Sequence, residues 1–463
     1  METFYGNLSQ WIISLCDVIC GYPYFFLLIG GGIFLFLYSG CVSIRRLPWS
    51  VRALRAQQAR QAGKDTGQIS SFQALMSAIA ATVGMGNIAG VAIALSIGGP
   101  GVIFWMWMSA ILGMSTKFFE GTLAIMYKGR DSRGNLQGGP MYMISEGLGR
   151  KWRPMAVAFA VFGLVGTLCF MQANQLVESV TTVFTTPMGV ANTAWLRFAI
   201  GVAIVLVVGT VILGGISRIA QVAARIVPAM VTLYLMLVVF IMVMNFKQIP
   251  GVFAQIIDGA FSMKAGFGAF AGIALIGTRR AAMVNEAGVG TASMMHGASM
   301  NTEPVREGLV AMVAPAVDSG IVCTLTAIPI IMAGQSLGTG EVSGGLYIAL
   351  GAFGQLIPHV GQYLLMAIVF CFAFSTMFTY SYYGQKCTNF LFGAQNTKYY
   401  NYYYLAMIIV AAVIKLDLLV SIMDLAFALM ALCTMTTLIR LSPRVKCEMK
   451  RYFMKEKQQK TYS

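Results

Sequence analysis

Polar side chains that could bind a ligand lie inside otherwise apolar stretches of this sequence. The stretch SFQALMSAIAATVGMGNIAG ends at Gly90 and contains Gly84 and Gly86 beside Thr82 and Asn87. Glycines weaken a membrane helix, and the backbone amides and carbonyls that they free can bind an ion or a small zwitterion. They also let a neighbouring helix approach closely. This stretch alone therefore leaves a binding site and a packing interface open.

Two further stretches carry paired polar side chains. Gln172 and Gln175 are three residues apart and share a helix face, where their carboxamides can bind a zwitterionic ligand or hydrogen-bond to another helix. Ser375 and Thr376 offer two adjacent hydroxyl oxygens. With carbonyls freed near Gly84, these oxygens can form the all-oxygen site that a sodium ion needs. The alternative is that both hydroxyls bond back to the preceding helical turn.

Charged residues inside apolar stretches also need an explanation. Arg279, Arg280 and Glu286 lie close together in one such stretch, where we expect a buried ion pair or a water-filled vestibule. The nine cysteines and two histidines do not have the spacing of a metal site, and no nucleophile triad, phosphate-binding loop or pair of catalytic carboxylates is recognisable. We therefore expect binding rather than catalysis, and no enzyme activity.

The elements that must position these residues are membrane-spanning helices. The chain has 463 residues, of which 57% are hydrophobic and 11% charged, and its mean hydropathy is +0.73. This composition predicts an all-α polytopic membrane protein. About eleven spans are expected, at 22–44, 71–96, 99–127, 154–184, 195–216, 226–246, 265–295, 308–334, 358–393, 402–416 and 418–440.

The distribution of basic residues predicts the orientation. With the N-terminus outside and the C-terminus cytoplasmic, 25 of the 32 lysines and arginines lie in cytoplasmic segments and only four in outer ones. The formal charge of +15 therefore reflects topology, and we expect no nucleic-acid partner. Membrane lipid can contact the basic tail, and no obligate protein partner is evident.

A weak internal repeat organises the spans. We expect one domain over 1–463, in which 22–44 is an extra N-terminal span and 441–463 a basic cytoplasmic tail. The five-helix repeats are 71–246 and 265–440. The first span of each repeat is interrupted by glycines, and the two enter the membrane from opposite sides. This pattern is typical of an inverted repeat with its binding site at the interruptions.

Several motifs follow one another between about Ser71 and Gly393: GGPGVIFWMWMSAILGMSTKFFEG, GGPMYMISEGLG, MQANQ, NEAGVGTA, EPVREGLVAM and FSTMFTYSYYGQK. In this order they resemble the alanine/glycine:cation symporters, also called the sodium:alanine symporter family. The resemblance implies a LeuT-like fold, a five-plus-five inverted repeat with one extra N-terminal helix. It also implies sodium-coupled import of a small neutral amino acid such as alanine or glycine by alternating access, in a bacterial inner membrane. Na+ would be the co-transported ion, with no organic cofactor.

The resemblance also implies a set of site residues. The substrate-binding residues that the resemblance implies are Thr82, Gly84, Gly86, Asn87, Gln172 and Asn285, and we expect Met85, Met283 and Tyr380 to line the pocket for the substrate side chain. The expected sodium site comprises Ala81, Gly84, Ser375 and Thr376. Met85, Met283 and Tyr380 depart from the family pattern, and Met85 replaces a threonine hydroxyl with a flexible thioether. A larger polar amino acid such as glutamine, or an amino-acid analogue, is therefore an alternative substrate. A transport-dead sensor or an intramembrane enzyme is a third possibility.

Overall fold

The structure is a computed structural model that describes residues 10–12, 14–16, 18–58, 68–261, 267–334, 337–339, 344–414 and 416–461. Several predicted segments extend beyond the described residues. These are residues 1–9 of the predicted domain, residues 265–266 at the start of the second predicted repeat, and residues 462–463 of the predicted tail. The described part is a bundle of helices with one short hairpin, in which Gly129–Arg130 pairs antiparallel with Leu136–Gln137.

Helices before the hairpin are Tyr22–Phe25, the π-helical Phe26–Gly30, Gly31–Tyr38, Val42–Arg45, Leu47–Gln58, Ser71–Thr82, Met85–Gly98 and Val102–Met126. From the hairpin to residue 260 they are Pro140–Tyr142, the π-helical Met143–Leu148, the 3₁₀ turn Arg150–Trp152, Arg153–Gly166, Phe170–Val180, the π-helical Thr181–Thr185, Ala194–Ile212, Gly215–Met244, the 3₁₀ turn Phe246–Gln248 and Ile249–Ala260. The rest are Phe267–Asn285, Thr291–Gly297, Pro304–Ala311, Val313–Pro315, the π-helical Ala316–Val322, Cys323–Ala333, Gly345–Leu356, Gly361–Phe392, the 3₁₀ turn Ala394–Asn396, Thr397–Val413 and Leu416–Thr461.

The predicted all-α polytopic membrane class is confirmed. Among the described residues, seven helices are long and apolar enough to cross a membrane, and a bent pair makes an eighth. Three other predicted spans correspond to helices that are short or interrupted: Tyr22–Tyr38, Phe267–Asn285 with Thr291–Gly297, and Thr397–Val413. The count of eleven and the repeat boundaries stay predictions.

The bent pair, Ser71–Thr82 with Met85–Gly98, is called the first broken helix here. Its first half begins with a capping box, in which the Ser70 and Gln73 side chains each accept the other's backbone N–H. Val83 and Gly84 are extended, and the axis turns by 43° before the helix resumes. A Cβ on Gly84 would lie 2.7 Å from Thr376 Oγ1, so a side chain at this position would separate the break from helix Gly361–Phe392.

Helices Phe267–Asn285 and Thr291–Gly297 form the second broken helix. Between them Glu286, Gly288 and Gly290 all have positive φ, at 51°, 92° and 96°. Side chains satisfy the freed backbone groups, since Gly288 N–H donates to Glu120 Oε1 over 2.6 Å and Ala287 N–H donates to Asn285 Oδ1 over 3.0 Å. The break is thus a fixed feature of the interior.

A buried polar network joins one end of both broken helices. The Glu307 carboxylate accepts from Ser71 Oγ, from Ser299 Oγ over 3.1 Å and from Asn301 Nδ2 over 3.0 Å, and it lies 2.7 Å from His296 Nδ1. Four polar groups therefore offset the burial of this carboxylate. We call these residues the inner network because the predicted topology puts them on the cytoplasmic side.

Candidate functional site

A cavity of about 620 Å³ lies beside the break in the first broken helix. Its lining includes five residues of that helix, Ala81, Thr82, Gly84, Gly86 and Ile93. Helix Phe170–Val180 contributes Met171, Gln172 and Gln175, and the second broken helix contributes Arg280, Met283, Val284 and Glu286. The remaining lining residues are Cys20, Tyr24, Tyr380, Ser421, Met423, Asp424 and Phe427. Both breaks therefore contribute to one chamber.

The structure brings many of the predicted site residues to this chamber. Seven of them line it: Ala81, Thr82, Gly84, Gly86, Gln172, Met283 and Tyr380. Five others are buried but are not among its described lining residues: Met85, Asn87, Asn285, Ser375 and Thr376. The structure therefore divides the predicted set into residues on the cavity wall and residues directly behind it.

The two glutamines face the cavity as a pair. Gln172 and Gln175 both line it, and the side-chain oxygens of both are buried without a hydrogen-bond partner in the described structure. The alternative was that these carboxamides hydrogen-bond to another helix, and the described structure contains no such bond. Because an unpartnered buried acceptor is unfavourable, a hydrogen-bond donor from a ligand would stabilise this wall.

Asn87 supports the break from behind. Its Oδ1 accepts the Gly84 N–H over 3.0 Å, and its Nδ2 lies 3.4 Å from the backbone oxygen of Asp318. Asp318 belongs to the π-helical segment Ala316–Val322, so the carboxamide connects the break to a second irregular helix. Asn87 therefore holds the extended residues in place from outside the cavity.

Backbone oxygens of the first break converge on Thr376. The Thr376 hydroxyl lies 3.0 Å from Ala80 O, 3.5 Å from Val83 O and 3.0 Å from Phe372 O. Ser375 Oγ donates to Phe372 O over 3.0 Å, which is the back-bonded arrangement. Two of the three carbonyls, those of Ala80 and Val83, thus come from the residues immediately before the predicted Ala81 and Gly84.

Tyr380 and Glu286 connect the ninth predicted span to the second break. The Tyr380 hydroxyl donates to Glu286 Oε1, and Thr291 Oγ1 donates to Glu286 Oε2 over 2.5 Å. Asn285, next to Glu286, uses its own side chain to bind the Ala287 amide. The NEAG segment therefore shapes the break, with Glu286 on the cavity wall.

Arg280 occupies space that a glycine leaves free. A Cβ on Gly90 would lie 1.6 Å from an Arg280 terminal nitrogen, so the guanidinium rests directly on the backbone of helix Met85–Gly98. Arg280 and Asp424 both line the cavity and interact electrostatically. No salt bridge joins Arg280 to Glu286 or to Asp424 among the described residues, so this wall fits the predicted water-filled vestibule better than a closed ion pair.

The sequence interpretation did not single out Asp424 or the pair Lys117–Glu120. Lys117 and Glu120 are fully buried, and their charged atoms lie 3.9 Å apart behind the second break. An ionisable residue inside an apolar span is the signal that would have found all three. Asp424 is the single acidic residue in the span predicted at 418–440, and it lines the cavity.

Broken helices that meet at a polar chamber within a membrane bundle define a secondary transporter. The sequence model described as "Sodium:alanine symporter family" matches residues 6–463. This chain belongs to the sodium:alanine symporter family.

Curated relatives agree with this assignment. The sodium/alanine symporter AgcS of Methanococcus maripaludis is 37% identical over 433 residues, covering 92% of this chain and 93% of its own. A transporter of Haemophilus influenzae is 37% identical over 457 residues, covering 96% of each chain. The probable sodium/glutamine symporter GlnT of Bacillus subtilis is 34% identical, covering 93% of this chain and 88% of its own.

Among solved structures, the fold is similar to that of MhsT, crystallised in complex with L-phenylalanine. The TM-score is 0.60 at 14% sequence identity, and the match covers 82% of this chain and 90% of the other. The LeuT-like fold class predicted from the sequence is thereby confirmed, and the identity is too low for this likeness to say more than the fold.

Proposed function

We propose that this chain is a sodium-coupled symporter that imports a small neutral amino acid, such as alanine or glycine, by alternating access. The observation that carries the proposal is the chamber at the two breaks, with unpartnered carboxamide oxygens on its wall and converging backbone oxygens directly behind it. Family membership supports the sodium coupling.

The two ends of an amino acid fit opposite parts of this chamber. Helix Met85–Gly98 begins at the wall, and its first amides, at Met85 and Gly86, have no acceptor within the helix. These amides and the positive end of the helix dipole would bind the substrate carboxylate. The oxygens of Gln172 and Gln175 would accept from the ammonium group, and Met283 with the Tyr380 ring would contact the side chain.

Sodium would bind behind the wall, as a transported ion. The carbonyls of Ala80, Val83 and Phe372 and the hydroxyls of Ser375 and Thr376 provide five oxygens, all uncharged. Oxygen ligands suit a hard cation, and at this site the ion would replace the hydroxyl hydrogen bonds. We propose this set in place of Ala81 and Gly84, because the carbonyls closest to Thr376 belong to the preceding residues.

Coupling would follow from the shared break. Sodium would bind one side of the extended residues Val83 and Gly84, and the substrate would bind the other. Each ligand would order the same segment, so each would raise the affinity for the other by the same factor. Transport into the cell also requires the predicted orientation in a bacterial inner membrane, with the N-terminus outside and the C-terminus cytoplasmic.

A larger polar amino acid such as glutamine is the second candidate substrate. The cavity volume of about 620 Å³ and the charged groups of Arg280 and Asp424 on its wall favour it, and a relative bears the name of a glutamine symporter. Competition between labelled alanine and unlabelled glutamine separates the two candidates.

The test is uptake into proteoliposomes that contain the purified full-length chain. Labelled alanine should accumulate under an inward sodium gradient and should exchange by counterflow without one. Accumulation that is equal with sodium, with choline and with a proton gradient alone contradicts the sodium coupling. An absence of counterflow for every neutral amino acid contradicts the transport assignment.

A further inference from the structure

A second cavity, of about 500 Å³, shares no described lining residue with the transport chamber. It is bounded by the hairpin loop after helix Val102–Met126, the start of helix Arg153–Gly166 and the end of helix Gly361–Phe392. Its charged and amide lining residues are Arg130, Asp131, Glu146, Arg150, Arg153 and Asn389. We call it the arginine pocket.

One of the two carboxylates in the arginine pocket is already fully engaged. Asp131 Oδ1 accepts the backbone N–H groups of Arg133 and Asn135, each over 2.9 Å. Its Oδ2 accepts from Gln137 Nε2 over 2.8 Å and from Asn389 Nδ2 over 3.2 Å. These four hydrogen bonds use the lone pairs that a carboxylate offers.

The protonation state of Asp131 follows from the same contacts. Burial alone would raise the pKa of the Asp131 carboxyl, but its hydrogen bonds, that from Asn389 first, hold the pKa below its ordinary value. Asp131 is therefore ionised, and the buried Lys386 on the same helix as Asn389 interacts electrostatically with it. Four hydrogen bonds thus stabilise the Asp131 charge, and among the described residues no pocket arginine forms an ion pair with it.

The three arginines keep most of their donors free. Arg130 donates one N–H to Gly134 O over 2.7 Å. Arg150 and Arg153 form no hydrogen bond or salt bridge with the described residues. Glu146 is the one remaining carboxylate among the described lining residues, and it too has no such partner. Three guanidinium groups thus face a single uncommitted carboxylate, which leaves a net positive pocket with planar, forked donors.

We infer that the arginine pocket binds the phosphate of an anionic phospholipid headgroup. Guanidinium groups match a phosphate diester in both charge and geometry. The location selects the lipid as the source of the phosphate. Arg153 is the first residue of its helix, and the apolar span Arg150–Thr185 begins with this segment, so the pocket lies where a membrane surface meets the bundle.

The walls of the pocket also suit a lipid. Phe390 and Tyr142 line it and contact each other edge to face, with ring centroids 5.5 Å apart, which gives an apolar side for the start of an acyl chain. Trp152 lies outside the described lining, between Arg150 and Arg153 in the sequence, and the Arg440 Cζ lies 4.4 Å from its ring centroid. Tryptophan is typical of the headgroup region. In the predicted orientation this face is cytoplasmic, where anionic lipids attract basic residues.

The test uses the purified full-length chain in detergent with added lipid of one acyl composition. Phosphatidylglycerol, phosphatidylcholine and inorganic phosphate are compared by thermal shift and by native mass spectrometry. We expect phosphatidylglycerol to raise the melting temperature and to remain bound. The double variant Arg150→Gln/Arg153→Gln should weaken phosphatidylglycerol binding about tenfold or more, because it removes two charge-assisted contacts. Added salt should weaken binding to the unmodified chain.

The matched control removes the same charge elsewhere. Arg218→Gln/Arg225→Gln changes two exposed arginines outside the pocket, on segments of the same predicted face, and should leave phosphatidylglycerol binding unchanged. Equal binding of the two lipids, or equal loss in both double variants, overturns the inference. Protection by inorganic phosphate equal to that by phosphatidylglycerol overturns the assignment to a lipid.

Discussion

The substitution Thr376→Val tests the link between the break and sodium most directly. Valine keeps the shape of threonine and replaces only the hydroxyl. That hydroxyl is the group that lies within 3.0–3.5 Å of the three carbonyls of Ala80, Val83 and Phe372. The variant therefore removes one of the five proposed sodium ligands and leaves the carbonyls in place.

The expected size of the effect follows from the contact that is lost. A hydrogen bond or dipole contact to a charged group contributes about 1.5–3 kcal/mol. Since about 1.4 kcal/mol corresponds to a factor of ten, the sodium concentration for half-maximal uptake should rise roughly 10- to 100-fold. The affinity for alanine at low sodium should fall with it, because the coupling is reciprocal.

The assay is initial alanine uptake into proteoliposomes over a range of sodium concentrations. Thr379→Val is the control, because Thr379 is buried on the same helix but, within the described part of the chain, its hydroxyl bonds only to Ser375 O and Thr376 O, over 3.0 and 3.1 Å. It should leave the sodium dependence within about twofold of the unmodified chain, well below the tenfold effect of losing a charged contact. If the two variants have the same sodium dependence, the proposed sodium site is wrong.

Three other substitutions test the rest of the interior. Gly90→Ala should abolish most uptake, because its Cβ would lie 1.6 Å from the Arg280 guanidinium and would displace it from the cavity wall. Glu307→Gln should lower the melting temperature, since breaking a buried charged network costs about 3 kcal/mol. Burial lowers the pKa of Lys128 to about 8, below its ordinary value. Between these two pKa values the unfolded chain binds more protons than the folded chain, so the free energy of unfolding should rise with pH in this range. The melting temperature of the unmodified chain should therefore increase relative to Lys128→Gln from pH 7.5 to pH 9.5.

Each of these predictions has a control and a contradicting result. Gly354→Ala adds a Cβ with no atom within 4 Å, and equal uptake by it and the Gly90 variant would remove the role given to Arg280. Glu303 forms a surface ion pair with Arg451, so Glu303→Gln should change stability by less than about 1 kcal/mol. An equal loss for Glu307→Gln would show that the inner network is dispensable. A Lys128→Gln difference that is constant with pH would show that Lys128 does not titrate in that range.

The membrane class and the broken first helix could be predicted because they depend on local composition. Hydropathy over a window of residues reports burial in lipid directly. Glycines inside an apolar stretch indicate where a membrane helix is interrupted. The sodium-site residues Ala81 and Gly84 stay a prediction. The structure places the carbonyls of Ala80 and Val83, each one residue earlier, near Thr376, and the backbone conformation of the break sets which oxygens point towards that helix. That choice is not visible in the residue types.

The sequence by itself determined the membrane class, the LeuT-like fold class and the family, and it pointed to Gln172 and Tyr380, which line the cavity. Only the tertiary structure decided that Met85 and Asn285 lie behind the wall, that Arg280 rests on Gly90, and that Asp424 reaches the same chamber. The physical reason is that a helix has faces, and packing against several neighbours selects which face meets the cavity. Sequence periodicity indicates which residues share a helix face. Packing against helices that are distant in the sequence decides whether that face contacts the cavity or another helix.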